Sequence, residues 1–267
     1  HMTGLHYVTV SCVLIPAMTV LYFEQGGSRS GRKNGLIVLC ALVSIAIPIL
    51  CVSRFQLVFA VILAVFTFCA SQKNVSPWLF VVAVVALIPC YVLLTVARSH
   101  DVTYLNGIFE MKNSRMPIFV SQPYIYIANN YDNFNCMVEA LPGHSFGLKG
   151  LFPLWALSGL KFFFPQLINF PIYVDKTELT TVTLIYDVYY DFGIIGVLVF
   201  ACILGAVCFF LVEKLREMKN PMGYLFYGQM AIYMMLSFFT TWFSNPTTWF
   251  YFLVTAVLTF YCSVSRR

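Results

Sequence analysis

Asp187 and Asp191 stand four residues apart, where a polar stretch runs into a long apolar one. Residues four apart share a helix face. Two like charges there repel unless a cation or a sugar lies between them. Either carboxylate could bind or take a proton, or could simply favour the start of a helix. His100, Asp101 and His144 are the other base candidates. An imidazole takes a proton near neutral pH and an acid can orient it. Adjacent residues in a strand point apart, so the neighbours His100 and Asp101 are not thereby a pair. Each of the three also reads as an exposed loop residue. Arg54 and Arg98 end apolar runs, where they either bind an anion or anchor a helix end at an interface. Arg115 lies deeper in the polar stretch and reads as a solvated charge. Tyr124, Tyr126 and Tyr131 alternate with Asn129, Asn130, Asp132 and Asn133. Rings with amides suit the apolar faces and hydroxyls of a sugar, and equally suit an aromatic belt at a membrane surface. No CxxC or Cys/His cluster has metal-ligand spacing, so neither a metal nor a cofactor is expected.

The elements that must carry these residues are membrane helices. Of 267 residues, 60% are hydrophobic and 10% charged, against about 25% charged in an ordinary soluble domain. Mean hydropathy is +0.81. Such a chain could not keep a soluble surface, which excludes an ordinary soluble enzyme, a nucleic-acid-binding module and a disordered tail. The expected fold is an all-α polytopic integral membrane helix bundle of about seven spans, placed near 4–23, 35–52, 55–71, 77–97, 190–212, 222–242 and 247–264. Ser53-Arg54 marks a tight hairpin between the second and third spans. Nine of the sixteen basic residues fall in four short segments, including Arg29, Arg32, Lys33, Lys73, Lys214 and Arg267. The positive-inside rule places these segments and the C-terminus in the cytoplasm, and the stretch 98–189 outside. The chain thus divides into N-terminal spans (1–97), an exoplasmic loop (98–189) and C-terminal spans (190–267). Eight of the eleven acids lie between Asp101 and Asp191. Long loops of this kind are uncommon unless functional or disordered, and this one reads as ordered. Within it, Leu151 to Ile168 is apolar, is bracketed by Pro153 and Pro165, and suggests an interfacial or re-entrant helix. Of nine cysteines only Cys136 lies in a clearly polar stretch, so no loop disulfide is expected. His1-Met2 reads as a tag scar. No span carries a charge near its middle, which argues against an ion-coupled transport path.

The stretch Thr181-Val182-Thr183, followed by Tyr190-Asp191-Phe192-Gly193-Ile194-Ile195-Gly196, resembles a segment of the bacterial oligosaccharide repeat-unit polymerases, the O-antigen and capsular polysaccharide polymerase family. There a Thr-containing stretch leads to Asp-Phe-Gly-x-x-Gly. Ser53-Arg54 opening a span agrees, as does the aromatic-polar loop 124–133 followed by Pro142-Gly143-His144-Ser145-Phe146-Gly147. The resemblance implies a type C glycosyltransferase-like architecture in the bacterial inner membrane, with a periplasmic loop. It implies a metal-independent enzyme that moves a growing glycan from undecaprenyl pyrophosphate to a hydroxyl of the next lipid-linked unit. Membrane lipid, a chain-length regulator and a flippase are its implied partners, and nucleic acid is not among them. On this resemblance Arg54, Arg98 and Arg115 would contact pyrophosphate, since guanidinium binds phosphate bidentately and stays charged. Asp191, His144, Asp101 and His100 would be the catalytic candidates. Tyr124, Tyr131, Asn129, Asn130, Asp132 and Asp187 would meet the glycan. The alternatives are an O-antigen ligase, a lipid-linked sugar transporter or flippase, and a non-catalytic partner of an assembly complex.

Overall fold

A computed structural model describes residues 7, 9–72, 74–97, 101–215 and 217–264. Arg98 and His100, together with Lys73 and Arg267, lie outside the described residues. Among the described residues the chain is all-helical, without strands. The α-helices are α1 (Ile15–Glu24), α2 (Gly31–Leu50), α3 (Arg54–Ser71), α4 (Trp78–Val96), α5 (Val102–Ile108), α6 (Ile118–Ala140), α7 (Phe152–Leu157), α8 (Tyr186–Leu215), α9 (Tyr224–Met235) and α10 (Pro246–Val264), with short 3₁₀ turns between some of them.

Four of these, α2, α3, α4 and α8, are long and apolar enough to cross a membrane. Side chains such as Val82, Val85 and Leu93 of α4 and Ile194, Ile195 and Leu198 of α8 remain uncovered by protein. Exposed apolar surface of this extent is at home in lipid. The other three expected spans take different forms. The first contributes Ser11–Glu24, which is apolar but shorter. The stretch 222–242 yields α9, of 12 residues, and then a turn at Trp242–Ser244. The last forms α10, of 19 residues, which is not among the four. The expected hairpin at Ser53-Arg54 is present: α2 ends at Leu50, Val52 adopts φ +50°, and α3 starts at Arg54.

The chain forms two compact units, each discontinuous in sequence. The first comprises His1–Ser99, Cys208–Ile232 and Phe250–Arg267. Its core packs Leu14, Ala17 and Leu21 with Leu57, Phe59, Ala60 and Leu63 of α3. Gln229 is fully buried and donates from Nε2 to Thr255 Oγ1 at 2.7 Å.

The second unit comprises His100–Val207 and Tyr233–Trp249. Here the stretch read as an aromatic-polar loop is α6, a helix of 23 residues. Its buried face is Ile118, Gln122, Ile125, Asn129, Asn133 and Met137, a helical period partly disguised by asparagines, which favour turns in isolation. Those asparagines have tertiary work. Asn129 Nδ2 donates to Leu179 O at 3.1 Å. Asn133 Nδ2 donates to Leu179 O at 2.6 Å and Thr181 O at 2.8 Å. Asn130 Nδ2 donates to Phe238 O at 2.6 Å, and its Oδ1 accepts from the Thr181 hydroxyl at 2.6 Å. They satisfy carbonyls of an irregular chain that has no ladder of its own. The expected helix over Leu151 to Ile168 is instead α7, of six residues, and two 3₁₀ turns, because Gly159 (φ +77°) and Pro165 interrupt it.

Helix α8 starts at Tyr186 and breaks at Gly193, where φ +63° and ψ −153° are open essentially to glycine alone. The break frees the carbonyls of Tyr190 and Asp191 from helical bonding. The N–H of Ser145 donates to Tyr190 O at 3.3 Å, and that of Phe146 to Asp191 O at 3.1 Å. A methyl at Gly193 would also sit 3.0 Å from His144 Nε2. Gly193→Ala is therefore expected to cost about 1–3 kcal/mol, read as a lowered melting temperature in detergent. An unchanged melting temperature would show that the break is not built in.

Candidate functional site

The loop 144–150 is held on the first turns of α8 by one carboxylate. Asp191 is 2% exposed. Its Oδ1 accepts from the Ser145 hydroxyl and from the Lys149 N–H at 3.2 Å, and its Oδ2 from the Gly150 N–H at 2.7 Å. The approach requires glycine at 150, because a Cβ there would lie 2.7 Å from Asp191 Oδ2. Both oxygens of Asp191 are thus committed to the loop.

Fixing the Lys149 backbone sends its side chain toward Asp187, one turn earlier in α8. Lys149 Nζ lies 3.7 Å from Asp187 Oδ1, with side-chain exposures of 12% and 10%. The ammonium is 4.1 Å from the Tyr190 ring centroid and 5.2 Å from that of Tyr186, a cation–π arrangement. The side chains of Thr241 and Ser244 stand beside Asp187 and line the same cavity. Burial pushes the Lys149 ammonium below the ordinary lysine range, while Asp187 and then Asp191 oppose the shift.

Two cavities lie along the first turns of α8, and the pair lines one of them. One, of about 360 Å³, is lined by Lys149, Asp187, Thr180, Thr181, Thr241 and Ser244, over a floor of aromatic and aliphatic side chains. The other, of about 510 Å³, runs along Val188, Phe192, Ile195, Val199 and Ile203 of α8, and Ser244 lines it too. The first offers a cation, an anion and hydroxyls; the second is mostly hydrocarbon, with Asp191 and Ser244 as its polar lining. Together they suit an amphiphile with an anionic, hydroxyl-bearing head and an apolar tail.

The second unit brings Asp187, Asp191 and His144 together, in different roles. His144 is exposed, its Nδ1 lies 3.3 Å from Tyr190 O, its ring packs edge-on to Tyr189, and it lines neither cavity. Asp101 caps α5, accepting from the Tyr104 N–H at 3.0 Å. Arg115 is exposed in a turn. The aromatic-amide patch is divided by its helix: Tyr124 and Tyr131 are 60% and 57% exposed, Asp132 is also exposed, and Asn129 and Asn130 are buried under them. In the first unit Arg54 is 7% exposed, donates from Nη1 to Thr95 Oγ1 at 2.9 Å and lies 5.8 Å from the Tyr91 ring centroid. Trp242 is buried against Tyr233, with ring centroids 5.1 Å apart.

Lys149 is the residue that sequence reasoning missed. The available signal was a lone cation in an apolar stretch, between Gly147 and Gly150. Among the described residues, no group of three or more His, Cys, Asp and Glu side chains is arranged to hold a metal ion. Comparison of the chain with known protein families, with curated proteins and with solved structures finds no match.

Proposed function

We propose that this chain polymerises lipid-linked oligosaccharide repeat units into a bacterial surface polysaccharide, O-antigen or capsule. It transfers the growing glycan from undecaprenyl pyrophosphate to a hydroxyl of the next lipid-linked unit. The observation that carries this reading is a hydroxyl-lined cavity holding Lys149 that shares Ser244 with an apolar one along α8. A polyprenyl chain fits the apolar side by its chemistry, and a pyrophosphate bearing a sugar fits the polar side. Pyrophosphate is already a good leaving group, so the site needs fixed positive charge rather than a strong acid. A lysine drawn out of water supplies it, and its attraction for phosphate grows as the local dielectric falls. The Thr181 and Asp-Phe-Gly resemblance points to the same chemistry, with Asp191 placing the loop and Lys149 meeting the phosphate.

In this reading the chain is a type C glycosyltransferase of the inner membrane with seven spans. The site lies at the periplasmic face, the C-terminus is cytoplasmic, and a chain-length regulator and a flippase are the partners.

The test is the glycan length ladder from cells lacking their own polymerase and supplied with this chain. A ladder is expected. A single transfer to the lipid A core would identify a ligase. Single repeat units throughout would sink the polymerase reading. The break at Gly193 favours one other reading, since flippases and transporters use interrupted helices. That reading requires counter-flow of lipid-linked sugar with no new glycosidic bond.

A further inference from the structure

Resting on the polymerase reading, we infer that Asp187 is the general base of the transfer and that Lys149 guards it until the donor's pyrophosphate draws the lysine away. The two carboxylates on the first turns of α8 have opposite situations. Asp191 has both oxygens engaged by the loop, Oδ1 by two donors and Oδ2 by one, and lines the mostly apolar cavity rather than the polar one. Asp187 lines the polar cavity. Its neighbours are all exchangeable: the hydroxyls of Thr241 and Ser244, and an ammonium at 3.7 Å, which is longer than a charge-assisted hydrogen bond. Two acids whose surroundings differ in this way take different tasks.

The step balances without any further reactant. The acceptor hydroxyl gives its proton to the Asp187 carboxylate as its oxygen bonds to the anomeric carbon of the growing glycan. The bond from that carbon to the pyrophosphate oxygen breaks. Its electron pair leaves with the pyrophosphate, whose charge Lys149 offsets. Lys149 thus serves Asp187 as counter-ion in the empty site and the leaving group in the filled one. The titratable groups facing this pair are Asp191, Tyr186 and Tyr190, all on α8. The rest of the polar cavity is lined by threonines, Ser244 and apolar side chains.

The experiment uses the full chain with Asp187→Asn and Asp187→Glu. One readout is the glycan ladder in cells. The other is binding of undecaprenyl pyrophosphate to the purified protein in nanodiscs, with a melting curve for each variant. Asp187→Asn is expected to keep its affinity, because Lys149 remains and loses a competitor. Its polymer yield should fall on the order of 10²- to 10⁴-fold. Asp187→Glu restores a base and is expected to regain part of the yield. Asparagine can still meet Thr241 and Ser244, so a merely structural role predicts that Asn rescues better than Glu, and that ranking would overturn the inference. So would an Asn variant that polymerises like the wild type, or one that loses binding together with polymer. If Asn does not fold, an unimpaired ladder from a chain with alanine at 187 that does fold, or Glu falling below it, overturns the inference. A wild-type chain that makes no ladder removes the polymerase reading itself, and the base with it.

Discussion

On the polymerase reading, Lys149→Ala is expected to abolish the ladder and to weaken binding of undecaprenyl pyrophosphate by on the order of 10²-fold or more, the scale of losing a desolvated charge from a phosphate site. The same change leaves Asp187 buried beside apolar and aromatic surface with its counter-charge gone. Breaking a buried pair in this way costs about 3–5 kcal/mol. The melting temperature should therefore fall with the affinity, and Lys149→Ala with Asp187→Asn should recover melting without recovering binding. Affinity unaffected by Lys149→Ala would remove the phosphate from this cavity. The pH dependence carries a second check. Lys149 holds phosphate only while protonated, and burial lowers its pKa. Binding is complete below that lowered value and is lost as pH rises through it, while surface lysines are still charged. Stability runs the other way. Folding disfavours the ammonium, so this lysine's unfavourable contribution is greatest at low pH and fades as pH rises from the folded value to the unfolded one. Melting temperature and affinity measured across that window should diverge.

The second large effect is expected at Asp191. Asp191→Ala removes the acceptor for the Ser145 hydroxyl and for the N–H groups of Lys149 and Gly150. Each donor left unpaired costs about 1–3 kcal/mol, so a loss of at least about 3 kcal/mol is expected for the three, with faster proteolysis within 144–150. Asp191→Asn is a finer probe. Its oxygen can still serve Ser145 and Lys149, but its amide then faces the Gly150 N–H, donor against donor. Gly150→Ala should reproduce the lesion from the other side, since its methyl enters the space of Asp191 Oδ2. All three should weaken phosphate binding with Lys149 chemically intact, because the loop no longer aims it. A chain with alanine at 191 that melts and binds normally would refute the positioning role and return Asp191 to the catalytic candidates.

The membrane character of this chain was legible without its structure. A bilayer selects on the local average of hydropathy, so α2, α3, α4 and α8 follow from composition alone. The hairpin before Arg54 and a helix start just ahead of Asp191 were legible for the same reason, since each marks where an apolar run meets polar punctuation. Asn129, Asn130 and Asn133 misled, because asparagine favours turns by itself. Only the tertiary fold presents it with Leu179, Thr181 and Phe238 carbonyls, whose pairing outweighs that propensity. Gly193 stood out only as part of the Asp-Phe-Gly resemblance, and nothing in the sequence marked it as a helix break. Its break is defined by the loop 144–146, which takes up the two carbonyls the break exposes.

The site itself belongs to the tertiary structure. Lys149, Asp187 and Ser244 are far apart in sequence and share no motif. What joins them is the Asp191 carboxylate, bound by the backbone of residues 149 and 150, and the turn after α9 that brings Thr241 and Ser244 to Asp187. Sequence determined the solvent of this protein, because burial in lipid is a sum over neighbouring residues. The fold decided which charges meet, because a buried ion pair depends on distances that backbone hydrogen bonding sets between segments remote in the chain.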